Sequence, residues 1–290
     1  MAGLHDFVLR LRASASAPRR ALVNRVMYEV IYAVPAVARG GFFNGGFHPP
    51  PPGAVQAPGL EASQVQAAMY DFALRAFPLE VAPEAAARAV SAVLDIGCGA
   101  GGGLVYAAAA FPAARLAGLD QSAVAIGHAR RRLRALQPEL HRGSADRLPF
   151  AEARFERVVS VGTLSYVDHN ALIAEAARVL APGGVLSLTG GSTDTPLGWT
   201  RARLDRAAIS QGLAPRGFRN VTEPCFAAFQ HDAPRHEALV ACLPWFLRES
   251  AREWAVLPGS RRHALYVEGR KREFAAVYVK PMLASAAAAA

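Results

Sequence analysis

The sequence predicts an α/β fold: a doubly wound, mostly parallel sheet with helices on both faces and helical cap elements at its open end. Three observations carry this. Between residues 91 and 190 apolar strand-like runs alternate with helix-length segments, and strands joined that way form right-handed crossovers and a parallel sheet. The first run breaks into "DIGCGAGGG", five glycines close behind Asp95, and the second, "LAGLD", ends in another acid, Asp120. Glycine is entropically costly in regular structure, so such a cluster marks backbone that something approaches closely.

Taken in order, the first 28 residues set Arg10, Arg12, Arg19, Arg20 and Arg25 against Asp6 alone. That balance resembles a transit peptide or a membrane-surface helix. It is read as an amphipathic cap helix, with peripheral membrane contact as the alternative. The apolar run Val26 to Ala38 contains Glu29 and Pro35 and is too short to span a bilayer. "GGFFNGGFHPPPPG", from Gly40 to Gly53, excludes regular structure. Next come "AVLDIG" as strand, "GGLVYAAAAF" as helix, "ARLAGLD" as strand and "AVAIGHARRRLRAL" as helix. "FERVVSVGTL" reads as strand with loop, "HNALIAEAARVL" as helix, "APGG" as a turn and "VLSLTGG" as strand. From 191 to 250 the alternation lapses into an irregular, aromatic-rich segment. "REWAVLPGS" and "REFAAVYVK" then read as two late strands closing the sheet in antiparallel sense, ahead of a low-complexity alanine tail. The expected division is a helical cap over 1–90, a cofactor-binding core over 91–190, a lid and substrate-binding segment over 191–250, closing strands over 251–281 and a disordered tail over 282–290.

The 290 residues suffice for a large buried core. The net charge of +9 admits nucleic acid or an anionic surface, but the densest arginines (Arg130, Arg131, Arg132 and Arg134; Arg201, Arg203 and Arg206) read as solvated helix faces. No aromatic residues interleave with them as stacking platforms, so no nucleic-acid partner is expected. Cys98, Cys225 and Cys242 are odd in number and widely spaced. They fit a reducing, cytoplasmic compartment and neither a disulfide framework nor a metal knuckle. Monomer and homodimer both remain open.

Ligands of such sheets sit beyond the carboxyl ends of the strands. Gly97, Gly99 and Gly101 there form a G-x-G-x-G loop, which by itself also suits a dinucleotide. Asp95, two residues before Gly97, would repel a pyrophosphate but can receive a cationic amino-bearing group. Asp120 can accept both hydroxyls of a ribose, and Asp146, in "GSADRLPF", can accept from an adenine amino group. The plainer alternatives are that Asp95 and Asp120 cap the following helices and that Asp146 forms a turn. Three acids around one nucleoside favour a cofactor with positive character.

"VLDIGCGAGGG", "LAGLDQS", "GSADRLPFAEARFERVVSVGTL" and "AARVLAPGGVLSL" together resemble the class I S-adenosylmethionine-dependent methyltransferases, in order and spacing. The resemblance implies a Rossmann-like seven-stranded sheet with a last antiparallel strand, and S-adenosyl-L-methionine as cofactor. It places Asp95, Gly97, Gly99 and Gly101 at the methionine side, Asp120 at the ribose and Asp146 with Ala145 at the adenine edge, and adds Cys98, Gln121 and Val161 to the cofactor-binding residues. The flanks, including "GFFNGGF", "LEASQVQAAMYDFAL", "LPWFLRESAREWAVLPGS" and "YVEGRKREFAAVYVK", are similar to methyltransferases of the phthiotriol/phenolphthiotriol dimycocerosate type, which O-methylate a lipid alcohol.

A greasy, small-molecule acceptor also follows from the residues. Tyr28, Tyr32, Phe42, Phe43, Phe226, Phe229, Trp245 and Phe246 fall in the two segments that cover the open end, as an apolar cleft or as ordinary core. An alcohol acceptor needs its proton removed, usually by histidine. Lipid-alcohol relatives carry one soon after the fourth strand, in an acid-small-Ser-His pattern, whereas this chain reads "VGTLSYVDH". Candidate bases are His169, His231 and His236. Tyr166 and Tyr266 are candidates for orienting the acceptor. A carboxylate acceptor needs no base, and an alkene needs one only after attack. The expectation is O-methylation of a hydroxyl or carboxylate, with C- or N-methylation, or a non-catalytic cofactor-binding subunit, as alternatives.

Overall fold

A computed structural model describes residues 26, 28–42, 44–243 and 245–282, with the side chains of 36–38 and 246 left out. Seven strands form one sheet: β1 (Ala92–Ile96), β2 (Arg115–Asp120), β3 (Glu139–Arg142), β4 (Phe155–Val161), β5 (Leu180–Thr193), β6 (Ala214–Asn220) and β7 (Lys271–Val279). Their order is β3-β2-β1-β4-β5-β7-β6. Pairings from β3 through to β5 are parallel, and β7 inserts antiparallel between β5 and β6. This is the mostly parallel sheet with a late antiparallel strand that the sequence predicts. β1 is buried at every position, as a central parallel strand covered on both faces must be, and its run of Val, Leu and Ile follows from that.

Helices α1 (Gln64–Asp71), α2 (Gly102–Ala110), α3 (Ala123–Arg132), α4 (His169–Val179), α5 (Leu197–Ser210), α6 (Thr222–Ala241), α7 (Trp245–Trp254) and α8 (Arg261–Val267) flank the sheet. Side chains cap three of the starts. Ser122 accepts from Ala125 N at 3.0 Å, Asp168 from Ala171 N at 2.9 Å and Ser260 from His263 N at 3.1 Å, each satisfying an amide that the first turn leaves unpaired. Among the described residues no helix is long and apolar enough to cross a membrane.

Four readings need correction. The segment 191–250 is regular, holding α5, β6, α6 and most of α7. Its order is masked because α5 shows arginines on its exposed face and buries only Leu204, Ala207 and Ala208. β6 carries Pro215 and Gly217, which an edge strand tolerates. "REWAVLPGS" is no strand but the end of α7 and a turn, forced by Val256 in the left-handed region at φ 53° and closed by Glu253, which accepts from Arg261 N and Arg262 N. "APGG" lies within β5, with Gly183 at φ 74°. β3 was not expected as a strand, its short "ELHR" being only partly buried.

Two polar anchors fix the flanking segments. Arg157, 2 % exposed, donates to the carbonyls of Ala85 and Ala86 and ties the segment before β1 to β4. Glu29 accepts from Ser122 Oγ, Ala123 N and Val124 N at 2.8 to 3.0 Å. That binds the N-terminal helical residues to the start of α3, where the orphan amides and the helix dipole favour an anion.

Candidate functional site

β1 delivers the glycine loop to the carboxyl end of the sheet. Gly97 and Gly99 sit at φ 83° and 53°, a region costly for side-chain-bearing residues. Neighbouring protein also fills the space a side chain would need. A Cβ on Gly97 would lie 2.1 Å from Thr163 Oγ1, and one on Gly99 would lie 2.2 Å from the Tyr32 hydroxyl. The amides of Gly97 and Cys98 donate to Leu119 O at 2.7 and 3.1 Å.

Asp120, 9 % exposed, fastens this loop. Its Oδ2 accepts from Gly99 N at 3.0 Å and its Oδ1 from Ser122 N at 2.8 Å. Burial raises its pKa to about 6 against those amides, and Glu29 adds to the rise. Asp95 lies deeper, at 1 % exposure. Its Oδ2 accepts from Tyr70 OH at 3.0 Å, and its Oδ1 is buried without a partner. Burial lifts it to about 7 against the Tyr70 hydrogen bond, with Asp120 adding to the rise. Such an unpaired oxygen is costly unless a ligand donates to it.

A cleft of about 600 Å³ opens beside the loop, lined by Tyr28, Tyr32, Gly97, Leu119, Asp120, Gln121, Gly143 to Ala145, Val161 to Thr163, Tyr166 and Val167. The loop carrying Ala145 is held from α4: Glu175 accepts from Leu148 N, and Arg178 donates to Leu148 O and Phe150 O. Of the residues that the sequence singles out, this cleft gathers Gly97, Asp120, Gln121, Ala145, Val161, Tyr28, Tyr32 and Tyr166, while Asp95 and Gly99 lie outside its lining. Asp146 is exposed and outside the lining, and Cys98, 3 % exposed, packs inside against the β2 glycine, Gly118. Gly101 turns toward Leu133 and Ala129 of the α3 region.

A second cleft, about 790 Å³, adjoins the first across Tyr28, Val161, Gly162 and Tyr166. The phenols of Tyr28 and Tyr166 are hydrogen-bonded, burial raises Tyr28 well above its ordinary pKa, and their rings meet edge to face at 5.1 Å. Met69, Val221, Phe229, Trp254 and Phe274 give apolar lining, and Arg262, Lys271 and Glu273 supply charge. Lys271 Nζ lies 3.1 Å from Glu273 Oε1, which also accepts from Tyr266 OH at 2.5 Å. Gly191 makes room for this pair, since a Cβ there would meet Lys271 Nζ at 2.0 Å. The three charged residues were missed. The available signal was period two in "KREF", which places Lys271 and Glu273 on one face of β7.

The histidines stand elsewhere. His231 has a 56 % exposed side chain, lies 3.5 Å from Asp232 Oδ1 and meets the His48 ring at 4.5 Å, tilted by 32°. His169 donates Nε2–H to Leu164 O at 2.8 Å, its pKa lowered by burial. His236 lies beside Asp232 at 4.0 Å, its pKa lowered first by burial and then by Arg235. None of the three lines either cleft. Trp245 is 82 % exposed and outside both linings. Phe42 packs on Tyr70 and Phe226 on Tyr266. Phe43 and the Phe246 side chain fall outside the described residues.

Residues 93–184 match a family model described as a methyltransferase domain. The chain carries a methyltransferase domain. Its match begins in β1 and ends in β5, so it takes in the glycine loop, Asp120 and the Ala145 loop. Among curated proteins, a fatty-acid O-methyltransferase of Mycolicibacterium smegmatis is 38 % identical over 116 residues, 39 % of this chain and 42 % of that protein. A phthiotriol/phenolphthiotriol dimycocerosates methyltransferase of Mycobacterium tuberculosis is 29 % identical over 184 residues, 61 % of this chain and 64 % of that protein. The alignments thus span less than two thirds of either relative. Among solved structures, a [4+2]-cyclase superposes with TM-score 0.66 and 18 % identity over 91 % of this chain and 97 % of that one. A geranyl diphosphate C-methyltransferase from Streptomyces coelicolor, with geranyl diphosphate and S-adenosyl-L-homocysteine bound, gives 0.64 and 16 % over 92 % and 98 %. These likenesses show that the methyltransferase domain and its flanks share the Rossmann-like methyltransferase fold.

Proposed function

We propose that the chain is an S-adenosylmethionine-dependent methyltransferase that acts on a lipophilic small molecule and delivers the methyl group to oxygen. One observation carries this reading: the glycine-loop cleft, with the buried Asp120 carboxylate in its lining, adjoins across Tyr28, Val161, Gly162 and Tyr166 a second cleft in which Met69, Val221, Phe229, Trp254 and Phe274 stand beside Arg262, Lys271 and Glu273. Relatives named for a fatty acid and for a lipid alcohol support the acceptor class.

The residues fit the cofactor chemically. Asp120 retains lone pairs for ribose hydroxyls after accepting two amides, and the unpaired Asp95 Oδ1 suits a donating ammonium. Leu119, Gln121 and Ala145 offer a flat flank for the base. When bound, S-adenosylmethionine supplies an electrophilic methyl on a sulfonium. The chain's own work is then to align the acceptor and exclude water, a task that falls to the aromatic residues lining the clefts, Tyr28, Tyr32, Trp254 and Phe229. No histidine stands in the acceptor cleft among the described residues, which favours an acceptor that arrives already ionised.

Glu273 in the same cleft favours one second reading, C-methylation of an alkene with Glu273 removing the proton afterwards. Incubation with a labelled methyl donor and lipophilic acids, alcohols and alkenes, followed by fragmentation of the products, separates the two. An ester or ether supports O-transfer, a new carbon–carbon bond overturns it, and absence of calorimetric S-adenosylhomocysteine binding overturns the methyltransferase reading.

A further inference from the structure

The charges in the acceptor cleft do not balance. The titratable groups facing it are Arg262 from α8, Lys271 and Glu273 from β7, Cys225 from α6, Tyr28 from the N-terminal helical residues and Tyr166 after β4. Burial keeps the Cys225 thiol and the Tyr28 phenol protonated by raising both pKa values. Glu273 is already committed, to Lys271 at 3.1 Å and to the Tyr266 hydroxyl at 2.5 Å. Two cations thus face one carboxylate and the cleft is left net positive; burial works against the Arg262 charge but Tyr266 and Glu273 outweigh it and raise its pKa, and Arg262 is the cation with no direct ion pair among the described residues. Among the described residues its guanidinium has no hydrogen-bond partner, and it faces the Phe229 ring at 6.0 Å. Its backbone is nevertheless fixed, Arg262 N donating to Glu253 Oε2 at 2.9 Å. A half-buried guanidinium with five donors and apolar neighbours is costly until an oxyanion takes its place opposite them.

We propose that Arg262 is the anchor for an anionic headgroup on the acceptor, a carboxylate carried on an apolar body, held beside the Tyr28–Tyr166 boundary where the two clefts meet. The inference rests on the methyltransferase reading. One surplus positive charge matches a monoanion. Met69, Val221, Trp254 and Phe274 match the apolar remainder. A carboxylate also explains why the cleft needs no base. The carboxylate oxygen forms its bond to the methyl carbon as the carbon–sulfur bond breaks, the electron pair stays on sulfur, and no proton moves. The resulting ester is neutral and loses its attraction to Arg262, so the same residue that holds the acceptor favours release of the product.

The test is calorimetric titration of the full chain, saturated with S-adenosylhomocysteine, with dodecanoate, dodecanol, methyl dodecanoate and dodecyl phosphate as probes. Dodecanoate should bind at least tenfold more tightly than the alcohol or the ester. Arg262→Gln should bring the acid down to the affinity of the alcohol while S-adenosylhomocysteine binding stays within about twofold, which also certifies the fold. Arg262→Lys, the variant to use should Gln fail to fold, should keep part of the preference, since it keeps the charge and loses the fork. Equal affinities for acid and alcohol, binding of neither, or a preference that survives Arg262→Gln overturns the anchor. Phosphate bound more than tenfold more tightly than carboxylate overturns the assignment to a monoanion. Failure to bind S-adenosylhomocysteine at all strikes the methyltransferase reading instead, and is measured separately.

Discussion

The two clefts share a wall yet are built by opposite strategies. The glycine-loop cleft is made largely of glycine turns and short side chains beside three tyrosines, and all its lining except Tyr28 and Tyr32 falls between residues 97 and 167. The acceptor cleft draws single residues from scattered segments, from Tyr28 and Asn44 through Gly191 and Cys225 to Arg262 and Phe274. Short motifs can encode most of the first, because the loops that end β1, β2, β3 and β4 each supply a contiguous stretch of it. The second exists only after α6, α8 and β7 have docked. Changes to the first should therefore act on cofactor affinity, and changes to the second on acceptor choice.

The contrast breaks most sharply at Gly97. Gly97→Val adds both a strained φ and a clash with Thr163, and should weaken S-adenosylhomocysteine binding by more than about 100-fold, the ~1–2 kcal/mol backbone cost accounting for roughly 5- to 30-fold and the displacement of Thr163 for the rest. Calorimetry reads this directly, and binding within about tenfold of the parent would mean that the loop is not the cofactor cradle. Asp120→Ala comes next, with a loss of about 1–3 kcal/mol from unpaired hydroxyls. Retained affinity would misplace the ribose.

A pH series sharpens the comparison further. Asp95 must be ionised to meet an ammonium, and in the unliganded protein it titrates at about 7. The competent fraction then rises about tenfold between pH 6 and 8, and S-adenosylmethionine affinity should rise with it. Asp95→Asn should bind weakly at both pH values and flatten the slope. The stability sign is opposite. A carboxyl raised from its unfolded value near ~4 supports the fold fully below that pH, and the support is lost as pH rises through about 7. Melting curves of Asp95→Asn against the parent should therefore show the smaller fall from pH 5 to 8. The smallest effects are expected for His231→Ala and His169→Ala, each within about twofold in turnover. A drop of ~10²-fold or more would restore a positioned base.

How much was legible follows the same division. "DIGCG" and "LAGLD" announce their strands and loop because apolar run, acid and glycine are contiguous, and Asp120 indeed stands at the cleft. Asp95 stands out in the motif as an acid before the glycines, but only the packed structure reveals Tyr70 on one of its oxygens and none on the other, and its place outside the cleft lining. Trp245 looked like lining because it is aromatic and lies near the lid. α7 turns it outward, an orientation fixed by tertiary docking and not by composition. Arg262 resembled any arginine beside another. Its surplus charge becomes visible only when Lys271 and Glu273, close in sequence to each other but not to it, are seen to satisfy one another.

The contact of Tyr32 with Gly99, secured by Glu29 on the start of α3, bears on where this protein can be cut. A fragment beginning at residue 91 would keep all seven strands and the whole family match. It would nevertheless lose Tyr32 from one side of the glycine-loop cleft and Tyr28 from the boundary between the two clefts. Recombination that exchanged only the sheet would carry over a frame without its door, so the leading segment and the sheet are expected to be inherited as one unit.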